Sequence, residues 1–294
     1  VMMAFNEISK GFVLWQPEVR TKGISMLYML MNLVYGTCPA MEIIAHPRVK
    51  SKSIVETSGL AFYKDRLWLH NDSGDKAQLF SIDIHTYTHN IHPVPVSKAI
   101  DWEDISIDHH SGVLYIADTG DNREKRKNAR IVSYDISTKE AHEIPITYAI
   151  GAVDVEGIAF DPIEKKLILI SKGRGGTVHL FHFDPKNPGA SALPSLHHFS
   201  ISADNGLNPE RITAMSISPD GRYVAIRNYV ELFLWPREKQ LSVIESMKKT
   251  PCTYGLPAQK QGESLAFSNN HQMWTLSEGK KQPLFELRLL HTNP

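Results

Sequence analysis

Five oxygen-bearing residues, Ser58, Glu103, Glu156, Thr213 and Glu263, each open a copy of one five-residue phrase: SGLAF, EDISI, EGIAF, TAMSI and ESLAF. A glutamate just ahead of an apolar run is poorly placed unless its charge is used. Three such carboxylates gathered in a narrow, partly dry space repel one another and drive at least one to take up a proton. A hard cation removes the conflict. Glu, Ser and Thr oxygens suit Ca²⁺ at about 2.3–2.6 Å, whereas Mg²⁺ tolerates a wide ring of protein ligands poorly. The competing expectation is that the glutamates bond backbone amides or face water.

A second set of reactive side chains follows each phrase. HNDSGD supplies Asp72 and Asp75, DTGDN supplies Asp118, Asp121 and Asn122, SKGRGG supplies Lys172 and Arg174, IRNY supplies Arg227 and Asn228, and LSEG supplies Glu278. Cations on two adjacent units facing acids on the other three make a polarised cleft suited to a phosphate or carboxylate. If the protein is an enzyme, a metal there polarises the phosphate, the basic groups steady developing charge, and Asp72 or Asp118 orients water. The same Asp, Asn, Gly and Lys residues are also ordinary turn formers. The histidines form no HExxH and the cysteines no CxxC, which leaves zinc without support. TSG and DSG are not nucleophile elbows, and GRGG lacks the Lys-Ser/Thr helix of a phosphate loop.

The phrases dictate the scaffold. Their first positions are spaced by 45, 53, 57 and 50 residues, the range of a four-stranded propeller blade. In each phrase large apolar residues alternate with small ones, the pattern of a strand pressed between neighbouring sheets. A second strand follows in each unit (LWLHN, LYIAD, LILIS, YVAIR, MWTLS), then a third (QLFSIDI, RIVSYDI, VHLFHFD, VELFLWP, PLFELRLL) and a weaker fourth, as in NIHPVPV and AHEIPITYAI. The last unit ends after its third strand. An unassigned segment, Met41–Val49, is available to complete it and remove the open sheet edges. The expectation is an all-β, five-bladed β-propeller over residues 41–294, preceded by an extension over 1–40; a six-bladed ring needs a blade with no inner-strand phrase. The five first positions then ring one end of the central channel.

Composition excludes several classes. Lys plus Arg and Asp plus Glu are 32 each among 294 residues, so no overall field draws the chain to nucleic acid or an anionic membrane. The basic run REKRK reads as a solvated loop. Arg20 and Lys22 precede GISMLYMLMNLVYGTCPA, too short for a membrane span and closer to a secretory signal with Gly36 or Ala40 as cleavage points. The start is then Met26 or an unusually long leading region. VYGTC is a poor lipobox. A mature chain keeping only Cys252 has no internal disulfide.

Two resemblances follow from these motifs. DWEDISID, LYIADTGDN, SPDGRYVAIR and QGESLAF resemble a group of secreted bacterial propeller proteins without an established activity, over most of residues 55–280. The order Ser58, Glu103, Glu156, Thr213, Glu263 resembles the Ser, Glu, Glu, Ser, Glu axial ring of the calcium-activated nucleotidases (soluble apyrases), with Thr for one Ser. Lys172, Arg174 and Arg227 lie on the blades that carry that family's phosphate-binding loops, and Asp72 matches its acidic first loop. The resemblance implies an axial Ca²⁺ and hydrolysis of a nucleotide-like phosphoanhydride or phosphoester by a periplasmic or secreted monomer. The alternative is a non-enzymatic propeller with structural calcium that binds a protein or glycan.

Overall fold

The computed structural model describes residues 38–72, 74–173, 176–189, 192–199 and 211–290. Residues 1–37 of the expected N-terminal extension and Arg174 lie outside them, while Ala40, one of the expected cleavage points, begins the first strand. Strand β1 (Ala40–Arg48) comes first, and the rest of the chain winds through five blades from the axis outward. The first holds β2 (Thr57–Tyr63), β3 (Arg66–Asn71), β4 (Gln78–Asp83) and β5 (His89–Pro93). The second holds β6 (Trp102–Asp108), β7 (Val113–Asp118), β8 (Arg130–Asp135) and β9 (Ala141–Pro145). The third holds β10 (Val155–Asp161), β11 (Lys166–Ser171), β12 (Val178–Phe183) and β13 (His197–Phe199). The fourth holds β14 (Ala214–Ile217), β15 (Tyr223–Arg227), β16 (Glu231–Pro236) and β17 (Cys252–Gly255). The fifth holds β18 (Ala266–Asn269), β19 (Gln272–Thr275) and β20 (Pro283–Leu290), with β1 as its outer strand. Each blade is a four-stranded antiparallel sheet, so this is a five-bladed β-propeller.

The inner strands β2, β6, β10, β14 and β18 touch in ring order, and β18 returns to β2. Closure is made by β1, whose Ala40 pairs with Leu290 and Ala45 with Phe285. The segment expected to complete the last blade does so. Blade faces are apolar because both sides of each sheet are covered. Five apolar clusters fill the five inter-blade seams; for example, Trp68 and Leu79 meet Trp102, Ile105 and Leu114 between the first and second blades. Across the closing seam, Leu60, Leu67 and Leu69 meet Ala266, Trp274 and Leu284.

The strand register slips at the start of β2, β6 and β10, between Thr57 and Leu60, Trp102 and Ile105, and Val155 and Gly157. Such bulges re-aim side chains and break strict alternation. In the second blade the bulge lets Asp104 reach across the axis. Its Oδ2 accepts the amides of Ile158 (3.0 Å) and Met215 (3.2 Å), its Oδ1 that of Ile105 (2.8 Å), and the Leu60 amide is a further partner. One fully buried carboxylate thus ties the inner strands of four blades. Burial pushes its pKa well up against the opposing pull of these amides. Hydroxyls join neighbouring blades nearby: Ser58 Oγ donates to the Glu103 carbonyl (2.5 Å), Thr119 Oγ1 to that of Val155 (2.7 Å) and Thr213 Oγ1 to that of Gly262 (3.2 Å).

One expectation is corrected. Cys38 and Cys252, the chain's two cysteines, are both disulfide-bonded. The cause is local: Cys252 opens β17, and two residues on, Tyr254 Oη donates to the Pro39 carbonyl at 2.6 Å, bringing the residues just before β1 to that strand. Among the described residues the α-helical content is α1 (Val243–Met247), begun by a Ser242–Glu245 capping box. No helix among them is long and apolar enough to cross a membrane.

Two outcomes are expected. Asp104→Ala leaves several amides unpaired in a dry channel and costs about 3 kcal/mol or more, whereas Asp104→Asn, which keeps one acceptor oxygen, costs less; urea unfolding measures both. Reduction of the disulfide costs about 2–4 kcal/mol, read as a lower melting temperature in a calorimetric scan with reductant.

Candidate metal centre

The site grows from two short pairs, Asp101-Trp102-Glu103 and Asp154-Val155-Glu156, at the entrances to β6 and β10. Alternation buries the middle residues, Trp102 and Val155, in the blade seams and turns both flanking acids to the channel end. Asp72 joins them from the loop after β3. One carboxylate oxygen from each of Asp72, Asp101 and Glu103 lies within 4.8 Å of the others, and the same holds for Glu103, Asp154 and Glu156. Glu103 belongs to both triplets. The loop after β7 makes room: a Cβ on Gly120 would overlap Glu103 Oε1 and sit 2.6 Å from Asp101 Oδ2. Asp154 Oδ1 is further fixed by the Asp121 amide at 2.7 Å.

Two cations answer part of this charge, Arg126 bearing on Asp101 and Lys172 on the other pair. Lys172 Nζ is 2.5 Å from Glu156 Oε1 and 4.0 Å from Asp154 Oδ2. Burial works against the lysine's charge, but Glu156 and Asp154 outweigh it and its pKa is raised. The carboxylates remain in excess. Burial, with Glu156, Asp72 and Asp101 adding to it, pushes Glu103 well above the carboxylate range. Burial and Asp72 carry Asp101 to about 6, and burial with Asp154 carries Glu156 to about 8 even beside Lys172. Beside this cluster, Glu263 pairs with Glu278 and accepts Tyr229 Oη at 3.0 Å. Burial and Glu263 lift Glu278 to about 8.

The five expected axial residues therefore divide. Glu103 and Glu156 enter the acid cluster, Glu263 forms a neighbouring pair with Glu278, and Ser58 and Thr213 spend their hydroxyls on carbonyls of the next blade. Asp101 and Asp154 are the acids that the repeat template left out. Their signal was the D-x-E spacing, which period-two alternation places on one face.

The loop residues also divide. Asp72 reaches the cluster. Asp118 is fully buried between Arg126 (2.5 Å) and Arg130 (2.9 Å) and receives the Asp101 amide, so it braces the loop instead of facing substrate. Asp75 bonds Asn71 and Gln78, and Asp121 accepts the Arg126 amide. Asn122 is exposed. Arg227 is fully buried, donating to Gln259, Thr275 and the Ser264, Asn228 and Tyr229 carbonyls. Asn228 caps the turn by accepting the amides of Val230 and Glu231. The polarised cleft expected from sequence is thus an acidic one among the described residues, because the nearer cation is held by Glu156 and the other is sealed in the fourth blade.

No protein-family profile matches the sequence, and no curated protein matches it. Solved structures do. A luciferin-regenerating enzyme superposes with a TM-score of 0.51 at 10% identity, over 84% of this chain and 95% of that one. A protein of unknown function from Bacteroides thetaiotaomicron VPI-5482 superposes at 0.51 and 9% identity, over 85% and 76%. A calcium-binding regucalcin from Agrobacterium tumefaciens str. C58 superposes at 0.48 and 11%, over 85% and 97%. At such identities the likeness is one of fold, and the chemistry rests on this chain's own residues.

The raised carboxyl pKa values fix a pH dependence. With folded-state values near 6 and 8 for Asp101 and Glu278, and unfolded values near 4, the folded protein holds protons that the unfolded chain has released. Stability contributed by these groups is present below pH about 4 and lost as pH rises toward 8. In chelator, the melting temperature is expected to fall from pH 5 to pH 8, with a shallower fall in Glu103→Gln; equal slopes would contradict the cluster's role.

Proposed function

We propose that the acidic mouth binds a divalent hard cation, with calcium the first candidate, and that the ion serves to hold an oxyanion-bearing small molecule at the channel entrance. The observation that carries this reading is the pair of overlapping triplets sharing Glu103, with Lys172 as partial compensation. An all-carboxylate donor set favours a hard cation over zinc or copper. Because Lys172 already occupies the Asp154–Glu156 side as a built-in cation, the Asp72–Asp101–Glu103 side is the better place for the ion. Asp72 and Asp101 are half-buried there, which leaves a route for a further ligand.

When bound, such an ion would supply an electrophilic anchor for a phosphate or carboxylate oxygen. The protein's own residues do the rest. Glu103, set by the Gly120 loop, and Asp101 hold the negative charge in place, and Lys172 offsets the repulsion between Glu156 and Asp154. Phosphoester or phosphoanhydride hydrolysis is the finer reading. It loses Arg227 as a phosphate contact and Asp118 as a water-orienting group, and retains Asp72. Export is supported by the disulfide, which suits an oxidising compartment.

Titration calorimetry with Ca²⁺ tests the site. Asp101→Asn and Glu103→Gln are expected to weaken binding by about tenfold or more, about 1.4 kcal/mol, while Asp75→Asn, on a separate turn, leaves it unchanged. Equal affinities would refute the site. Calcium-dependent phosphate release from a nucleoside diphosphate, lost in Asp72→Asn, would establish the hydrolase; calcium binding without turnover would leave a binding module.

A further inference from the structure

The repeated phrase has a second end. Its fifth positions are Phe62, Ile107, Phe160, Ile217 and Phe267, one per blade, four residues or about 13 Å along the inner strands from the acidic mouth. All five line a single cavity of about 520 Å³ at the opposite end of the channel, with Leu60 and Ile105 as its floor. Beyond that floor lies Asp104 with its amides, so the cavity is a blind funnel and not a passage to the acidic site.

Two serines of the funnel wall are committed to holding blades together. Ser106 Oγ accepts the Phe160 amide at 2.8 Å and Ser216 Oγ accepts the Phe267 amide at 3.0 Å, pinning second blade to third and fourth to fifth. Phe160 is further stacked on Tyr115 with ring centroids 5.9 Å apart. What remains inside is mostly apolar inner-strand side chains, with polar groups such as His109, His110 and Ser218 along the wall.

The rim is different. Lys165 and Lys186 stand exposed at the opening, and neither ammonium has an ion-pair partner among the described residues. One acid, Asp108, lines the cavity with them, its Oδ1 accepting the His110 amide and its Oδ2 accepting from Ser111 Oγ. Burial lowers the pKa of His109 beside it, so that imidazole adds no charge near neutrality. The cavity therefore combines apolar side chains from all five inner strands with two lysines against one aspartate.

We infer that this funnel binds an amphipathic monoanion, an unbranched or aryl carboxylate whose apolar tail fills the space among Phe62, Phe160 and Phe267 while its carboxylate meets Lys165 and Lys186. The volume falls within the range of small-molecule sites. Tail burial supplies most of the affinity and the lysines supply orientation and preference for the anion. The site is separate from the acidic mouth in both position and chemistry, and it stands whether or not that mouth holds calcium.

Calorimetric titration of the intact protein with decanoate below its micelle concentration, in chelator, tests the inference, with decanol as the neutral control. Saturable one-to-one binding of decanoate is expected, tighter than decanol by about tenfold. Ile217→Trp, which fills the funnel, should abolish binding of both. Lys165→Glu with Lys186→Glu, on the surface and harmless to folding, should weaken decanoate by about tenfold or more and leave decanol within about twofold. No saturable binding of either compound overturns the site. Decanol binding as tightly as decanoate, or decanoate binding indifferent to the lysine pair, overturns the anion.

Discussion

The architecture turns on a buried carboxylate that is not at the surface of either site. Asp104 lies on the channel axis and accepts backbone amides from the inner strands of four blades. A propeller must bring five strand entrances to one point, and at that point their backbones crowd with amides that cannot all pair within their own sheets. Placing one acceptor there satisfies them together. Glycine is required beside it: at Gly59 and Gly157 a Cβ would press within 3.0 Å of the next blade's backbone. The inner strands can approach the axis this closely only because the second position of the phrase carries almost no side chain in those blades.

That plug divides the channel into two environments. On one side the first positions and their D-x-E partners concentrate carboxylates that burial makes costly to ionise together. On the other, the fifth positions contribute only apolar surface. Neither end could tolerate the other's contents. An open channel would let water from the acidic mouth wet the apolar wall, and it would raise the dielectric in which the carboxylates hold a cation. The polarity of the molecule is thus a consequence of one phrase read from its first residue to its last, repeated five times around an axis that is closed at the middle.

Much of this was legible in the chain. Residue types and spacing determined the strands, the five blades, the N-terminal strand that closes the fifth, and the presence of oxygen donors at the inner-strand entrances, because period-two alternation and a repeat near fifty residues are local properties that survive any tertiary detail. The D-x-E pairs carried Asp101 and Asp154 in plain view. They escaped a template that began at the glutamate, and alternation alone would have put them on the same face.

Tertiary structure decided which charges are used. Lys172 and Arg227 look alike in sequence, each directly after an apolar run, yet Lys172 pairs with Glu156 while Arg227, the last residue of β15, is walled in by Gln259, Thr275 and carbonyls. Asp118 ends β7 and Asp72 stands one residue past the end of β3, and only Asp72 reaches the cluster, because two arginines claim Asp118. Asp104 is the sharpest case: within EDISI it is a polar residue in a strand, and its partners come from blades up to 111 residues away. The sequence determined what each side chain can do; the bulges and the meeting of five blades decided what each one faces, since a carboxylate's role depends on neighbours that no local pattern specifies.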